Sequence, residues 1–282
     1  MAALGVWNEL NLIRLTPEGA FLNGREHGEV LLPPDQVPPG SKPGQTLRVF
    51  VYLDADDYLT ASTRAPLAQR GDVASLKVVA VNKAGALLAW GLPHDLFLPW
   101  KEVKHEQRRL IKEGKKALVI LFEDEDGRLA ASTRLDDFLS DEAEEFQEGD
   151  KVSLVVGDPT DLGVRVVVNH RYWGMVHTSD IFGKLTRGET REGYIKALRE
   201  DHKLNISLSA PGYAKVDAIA QGMLDVLKRR GGFLPVTDKS QPEAIYALFG
   251  ISKKVFKQTL GALYKSRQIV IEAEGIRLAS AK

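Results

Sequence analysis

The chain is 282 residues long, 44% hydrophobic and 27% charged, with 38 basic and 38 acidic side chains, a composition ordinary for a soluble globular protein of two to four domains. It contains no cysteine, which excludes disulfide scaffolds, thiolate zinc sites, iron–sulfur clusters and a cysteine nucleophile. No run approaches the roughly 18 apolar residues that span a bilayer. Met1-Ala-Ala-Leu-Gly5 has no basic stretch followed by a long apolar run, so no secretory signal, no membrane partner and a cytoplasmic location are expected.

The zero net charge conceals an asymmetry. Residues 1–147 carry 17 basic against 23 acidic side chains, residues 148–212 nine of each, and residues 213–282 twelve against six. A basic end on an otherwise acidic chain points to contact with a polyanion there.

An internal repeat organises the first three quarters of the chain. Leu59-Thr-Ala-Ser-Thr-Arg64 returns as Leu129-Ala-Ala-Ser-Thr-Arg134 and, more loosely, as Leu204-Asn-Ile-Ser-Leu-Ser209. Aligned on Ser62, Ser132 and Ser207, other columns fall into register. Gly44, Gly114 and Gly188 lie 18, 18 and 19 residues upstream of the serines. Pro33, Pro99 and His177 each close a short apolar strand, and Gly19, Gly85 and Gly163 stand 14 residues before them. Gly5, Gly71 and Gly149 stand 28 before them. The glycines suit the turns and bulges that let a small barrel close.

Each copy reads as five short strands. In the second they are Val73–Val81, Gly85–Trp90, Leu96–Leu98, Ala117–Phe122 and Leu129–Ala131, separated by turn signals such as Asn82-Lys-Ala-Gly85 and Glu123-Asp-Glu-Asp-Gly127. Five strands in about 65 residues suit an OB-like barrel. Val103–Glu113, charged and helix-prone, is expected to form the helix or long loop after strand three.

The last 70 residues change character. Val216, Ala220, Met223 and Leu227 have helical spacing within Tyr213–Arg230, and Gly231-Gly232 stops that helix. Lys228-Arg-Arg230 suits a helix C-terminus. Ser240-Gln-Pro-Glu243 reads as a capping box opening a second helix that ends at Phe249-Gly250. Ser252 caps a third, with Phe256, Leu260 and Leu263 as its buried stripe. Gln268–Glu272 and Ile276–Ala279 then form a hairpin. Three helices and a hairpin make a winged helix with its helix-turn-helix at Ala244–Leu263. The predicted fold is mainly β and multidomain: OB barrels over residues 1–67, 68–146 and 147–212, and an α+β winged helix over 213–282.

The chemistry-bearing patterns are few. The histidines lack metal-helix spacing, and no Gly-x-Ser-x-Gly, Walker or dinucleotide glycine pattern occurs. The acidic run Glu123–Asp126 lacks the calcium-loop pattern. No enzyme activity, metal or cofactor is expected.

Asp161-Leu-Gly-Val-Arg-Val, Trp173-Gly-Met-Val-His-Thr-Ser179 and Lys203-Leu-Asn-Ile-Ser207 resemble the S1 RNA-binding domain. The third copy matches best; the first two are degenerate. Tandem S1-like barrels followed by a winged helix resemble the bacterial conserved virulence factor B family, described as RNA-binding regulators. That resemblance implies ligand contacts at aromatics on strand two, a histidine ending strand three, and an Asp and Arg around the turn before strand five. Carried over, the first copy offers Phe21, Asp54 and Tyr58, with Pro33 in the histidine column. The second offers Asp124 and Arg128, with Leu87 and Pro99 replacing the aromatic and the histidine. The third offers Arg165 in the aromatic column, His177, and Arg199 and Lys203 in place of Asp and Arg. Trp173 and Tyr172 beside them are candidate stacking rings. Lys254, Lys257 and Lys265 share one face of the third predicted helix and are candidate phosphate contacts.

The reading is a cytoplasmic protein that binds single-stranded RNA and regulates gene expression after transcription. Two alternatives remain open: a duplex-DNA-binding transcription regulator, or a scaffold docking on the ribosome or a ribonuclease.

Overall fold

The computed structural model describes residues 2–54, 56–181, 184–209, 214–265 and 267–279. Three closed five-stranded barrels come first. They comprise β1 (Trp7–Thr16), β2 (Gly19–Asn23), β3 (Glu29–Leu32), β4 (Thr46–Leu53) and β5 (Leu59–Ser62); β6 (Val73–Val81), β7 (Gly85–Ala89), β8 (Leu96–Pro99), β9 (Lys116–Glu123) and β10 (Leu129–Ser132); and β11 (Lys151–Thr160), β12 (Gly163–Val168), β13 (Tyr172–His177), β14 (Thr190–Leu198) and β15 (Leu204–Ser207). In each, the strands run 1-2-3-5-4 around the barrel, with the third and fifth parallel.

The repeated columns have physical causes. The first strand of every barrel shifts register near its middle. The resulting bend lets its first half pair with strand four and its second half with strand two. A Cβ on Gly19, Gly85 or Gly163 would lie 2.2, 2.2 or 2.0 Å from the carbonyl oxygen of Leu32, Leu98 or Val176, well inside van der Waals contact, so strand three can close on strand two only at glycine. The aligned serines fix the end of strand five. Ser62, Ser132 and Ser207 Oγ accept the N–H two residues on, at 3.0, 3.0 and 3.2 Å. Ser62 also donates to buried Gln36 Oε1 at 2.7 Å.

The segment after β8, expected as a helix or a long loop, takes the loop form with two 3₁₀ turns, Trp100–Glu102 and His105–Leu110. Neither contains a buried residue. Without an apolar face against a core, helix-prone composition does not sustain an α-helix.

The chain divides into two compact units, Met1–Ser140 and Asp141–Lys282. Within the first, two barrels share a core. Val49 and Val51 of β4 face the interior of their own barrel. The intervening Phe50 and Tyr52 point outward and join Trp90, Leu88 and Leu98 of the second barrel. Phe50 meets the Trp7 and Trp90 rings edge-on at 6.0 and 5.8 Å, and Tyr52 meets Trp90 at 6.4 Å. The Leu67 N–H donates to Trp90 O, and the Arg70 N–H to Gly5 O, both at 2.7 Å.

In the second unit, residues after the third barrel form α1 (Ala214–Arg229), β16 (Phe233–Leu234), α2 (Pro242–Phe249), α3 (Lys253–Lys265), β17 (Ile269–Ile271) and β18 (Ile276–Leu278), with sheet order β16-β18-β17. This is the winged helix. Met223, Leu227, Ile245, Phe256, Leu260 and Leu263 are buried together in its core; Tyr213 and the side chain of Val216 lie outside the described residues. The short β16 adds a third strand to the expected hairpin. Ser252 caps α3 as predicted, accepting the Val255 N–H at 3.4 Å. The capping box of α2 does not form. Gln241 is the cap residue, without a side-chain bond, and Ser240 Oγ accepts the Thr237 N–H instead. Proline in the first turn has no N–H to satisfy, which lessens the need for a cap.

The shared core of the first two barrels has a measurable consequence. Phe50→Ala should destabilise the first unit by about 3–5 kcal/mol. The loss should appear in native-state hydrogen exchange as reduced protection of β8 and β9 amides as well as those of β1 and β4. Protection lost in the first barrel alone would mean that the two barrels unfold independently.

Candidate nucleic-acid interface

Alternation along β13 sorts its side chains. Tyr172 and Val176 pack into the third barrel, whereas Trp173, Met175 and His177 line an outer groove of about 310 Å³. On β12 the paired register sets Arg165 opposite Met175 and Gly163 opposite His177, so Arg165 and His177 stand diagonally across neighbouring strands. The β14–β15 turn brings Arg199 and Lys203 to the same groove. Five sequence-predicted residues, Arg165, Trp173, His177, Arg199 and Lys203, therefore converge.

The floor is apolar, from Trp173, Met175 and Leu204, and the rim is cationic. The Arg165 guanidinium lies 3.9 Å from the Trp173 ring centre and pairs with Asp141 at 3.2 Å. His177 Nε2 lies 3.2 Å from Asn205 Oδ1. Asp201 pairs with Arg199 at 3.0 Å and meets Lys203 at 4.0 Å; these side chains are about half exposed, so the pairing neutralises them weakly.

The free stacking rings expected here are not available. Trp173 is only 7% exposed, covered by Arg165 on one face. Its buried Nε1 has no hydrogen-bond partner among the described residues. The Tyr172 hydroxyl donates to Glu145 at 2.7 Å, which raises that phenol above its usual range, and its ring packs edge-on against Phe146. The flat surface offered to a ligand is thus the guanidinium of Arg165, held by the indole beneath it.

The remaining candidates lie elsewhere. Phe21 carries the Arg14 guanidinium 3.7 Å above its ring, and Arg14 pairs with Glu29. Tyr58 is 71% exposed beside the β4–β5 turn. Arg128 pairs with Asp57 at 2.7 Å. Asp54 and Asp124, aligned with Arg199, organise their turns by accepting the N–H groups of Asp56 and Tyr58, and of Asp126 and Arg128. Replacing that acid by Arg199 turns a structural position into a cationic one. Lys254, Lys257 and Lys265 are exposed on one face of α3; Lys257 lies 3.9 Å from Asp238. Met175, Asn205 and Asp141 were missed. Asn205 could have been found as the residue two before the aligned serine, but Asp141 carries no sequence signal.

Comparisons with known proteins match this architecture. The S1 domain family model matches residues 4–64 and 71–134, and the CvfB-like winged helix domain model matches residues 221–278. The chain resembles the conserved virulence factor B family. Relatives named Conserved virulence factor B from Staphylococcus epidermidis are 29% and 28% identical, and one from Staphylococcus aureus 26%, each over 83% of this chain and 80% of the relative. A crystal structure of a multidomain protein with nucleic acid binding domains from Streptococcus pneumoniae is 23% identical, covers 98% of both chains and has a TM-score of 0.46. Both S1 matches fall on the first and second barrels, the copies read from the sequence as degenerate, rather than on the third, which was read as the best match. The S1 domains point to nucleic-acid binding. Among the described residues, no helix is long and apolar enough to cross a membrane.

If Arg165 shields Trp173, Arg165→Ala should open the indole to solvent. Tryptophan emission should shift to the red and quench more readily with acrylamide, with a stability loss of about 0.5–2 kcal/mol. Unchanged quenching would show that other groups cover the ring.

Proposed function

We propose that this chain binds single-stranded RNA in the cytoplasm and regulates transcript stability or translation by binding, without catalysis. The observation that carries the proposal is the groove of the third barrel, which gathers Arg165, His177, Arg199 and Lys203 around an apolar floor. A base can stack on the exposed side of the Arg165 guanidinium while the rim cations meet the backbone, the combination that single-strand binding uses. The groove's strand-borne residues are fixed by β pairing, so a ligand need not order them. The lysine face of α3 adds sequence-independent phosphate contact, useful through local concentration even where weak alone.

The test is anisotropy titration of a labelled oligouridylate across a salt series, with duplex DNA of matched length alongside. Arg165→Ala with His177→Ala should weaken RNA binding at least tenfold, with both variants folded. Changing Lys254, Lys257 and Lys265 together to Gln should flatten the slope of log affinity against log salt by about two units, at roughly −0.7 per phosphate. The change should be similar for different RNA sequences. An unchanged slope in the folded triple variant would confine binding to the barrels, and tighter binding to the duplex would favour the transcription-regulator reading.

A further inference from the structure

The first unit contains a second groove, of about 450 Å³, where the first two barrels meet. Its floor includes Leu87 and Phe97, from the strand positions that Arg165 and Met175 occupy in the third barrel. It therefore lies on the face of the second barrel equivalent to the cationic groove, and its chemistry is reversed. Arg165 is replaced by Leu87, His177 by Pro99 and Arg199 by Asp124. The one retained cation, Arg128, is paired across the junction with Asp57 of the first barrel. Asp54 and Asp95 add two further carboxylates to the lining, and Asp95 is exposed without an ion pair among the described residues.

The groove wall also carries a hydrogen-bond donor. Tyr52, from the first barrel, lines this groove and is only 3% exposed, yet its hydroxyl makes no hydrogen bond among the described residues. Burial first, then the Asp54 charge, holds that phenol protonated above its ordinary range. An O–H at the groove wall, beside carboxylates and without a protein partner, can donate to a bound group.

We propose that the junction groove is a docking site for a basic, apolar peptide segment of a partner protein. An apolar or aromatic side chain would enter against Leu87, Phe97 and Trp90, a flanking Lys or Arg would meet Asp57 and Asp95, and a backbone carbonyl would accept from Tyr52. Charge complementarity selects this occupant. The acidic rim repels a polyphosphate backbone, while a cationic segment gains from it.

The four indole N–H signals of the full chain separate the two grooves in one spectrum, because Trp90 lines the junction and Trp173 the third barrel. The probe is the blocked hexapeptide acetyl-Arg-Phe-Arg-Phe-Arg-Phe-amide, compared with its Glu-Phe counterpart and with a short oligouridylate. The basic peptide should shift Trp90 and leave Trp173 in place; the acidic peptide should shift neither. Asp57→Asn with Asp95→Asn should weaken the basic peptide roughly tenfold. Tyr52→Phe, which removes only the free hydroxyl, should weaken it about three- to tenfold while folding persists. The proposal fails if the basic peptide leaves Trp90 unmoved, if both variants bind it as the parent does, or if oligouridylate shifts Trp90. Oligouridylate acting at Trp173 is read separately, so failure here is distinct from failure of the RNA-binding reading.

Discussion

Closure of a barrel of only five short strands depends on one close approach, the carbonyl of strand three against the first residue of strand two. At Leu32, Leu98 and Val176 that oxygen occupies the space a side-chain carbon would need, so Gly19, Gly85 and Gly163 are required wherever the barrel closes. The consequences run outward. Closure fixes the β12–β13 register, the register sets Arg165 diagonal to His177, and alternation along β13 puts Trp173 and Met175 on the same outer wall. A binding surface built this way is positioned by backbone geometry, so its side chains can vary while its location stays constant.

That separation of scaffold from surface explains how three copies of one fold differ so much in chemistry. In the first barrel the ligand face carries an arginine–phenylalanine stack tied to Glu29. In the second the same face is apolar and faces a neighbour's acids. In the third it is cationic. None of these changes touches the glycine and serine columns that close the barrel, which is why the repeat survives where the S1 ligand residues do not.

Much of this was legible in the sequence because barrel closure uses residue types with few substitutes. The strand Val73–Val81 and the αL residue Gly250 ending α2 stand where the pattern placed them. What failed, failed where tertiary contact decides. Ser240 satisfies its own turn instead of α2. Trp173, beside a glycine at the end of a strand, looks the same in sequence whether it is bare or roofed by an arginine eight residues upstream. The groove of the third barrel was readable as a set of residues, since all came from aligned columns, but Asp141 enters from outside the repeat. The packing of the first two barrels left a trace that alternation alone does not interpret. Val49-Phe-Val-Tyr-Leu53 is apolar at every position, the mark of a strand buried on both sides, with nothing to say what covers the second side.

The aromatic seam formed by Phe50, Tyr52 and Trp90 also decides which pieces of this chain can be inherited separately. A duplication, fusion or rearrangement joining between residues 64 and 71 would lay bare rings that lie against one another in the intact pair. The first two barrels are therefore one packing unit. Recombination that preserves a stable product must fall outside the pair, near residue 140, where the compact units divide.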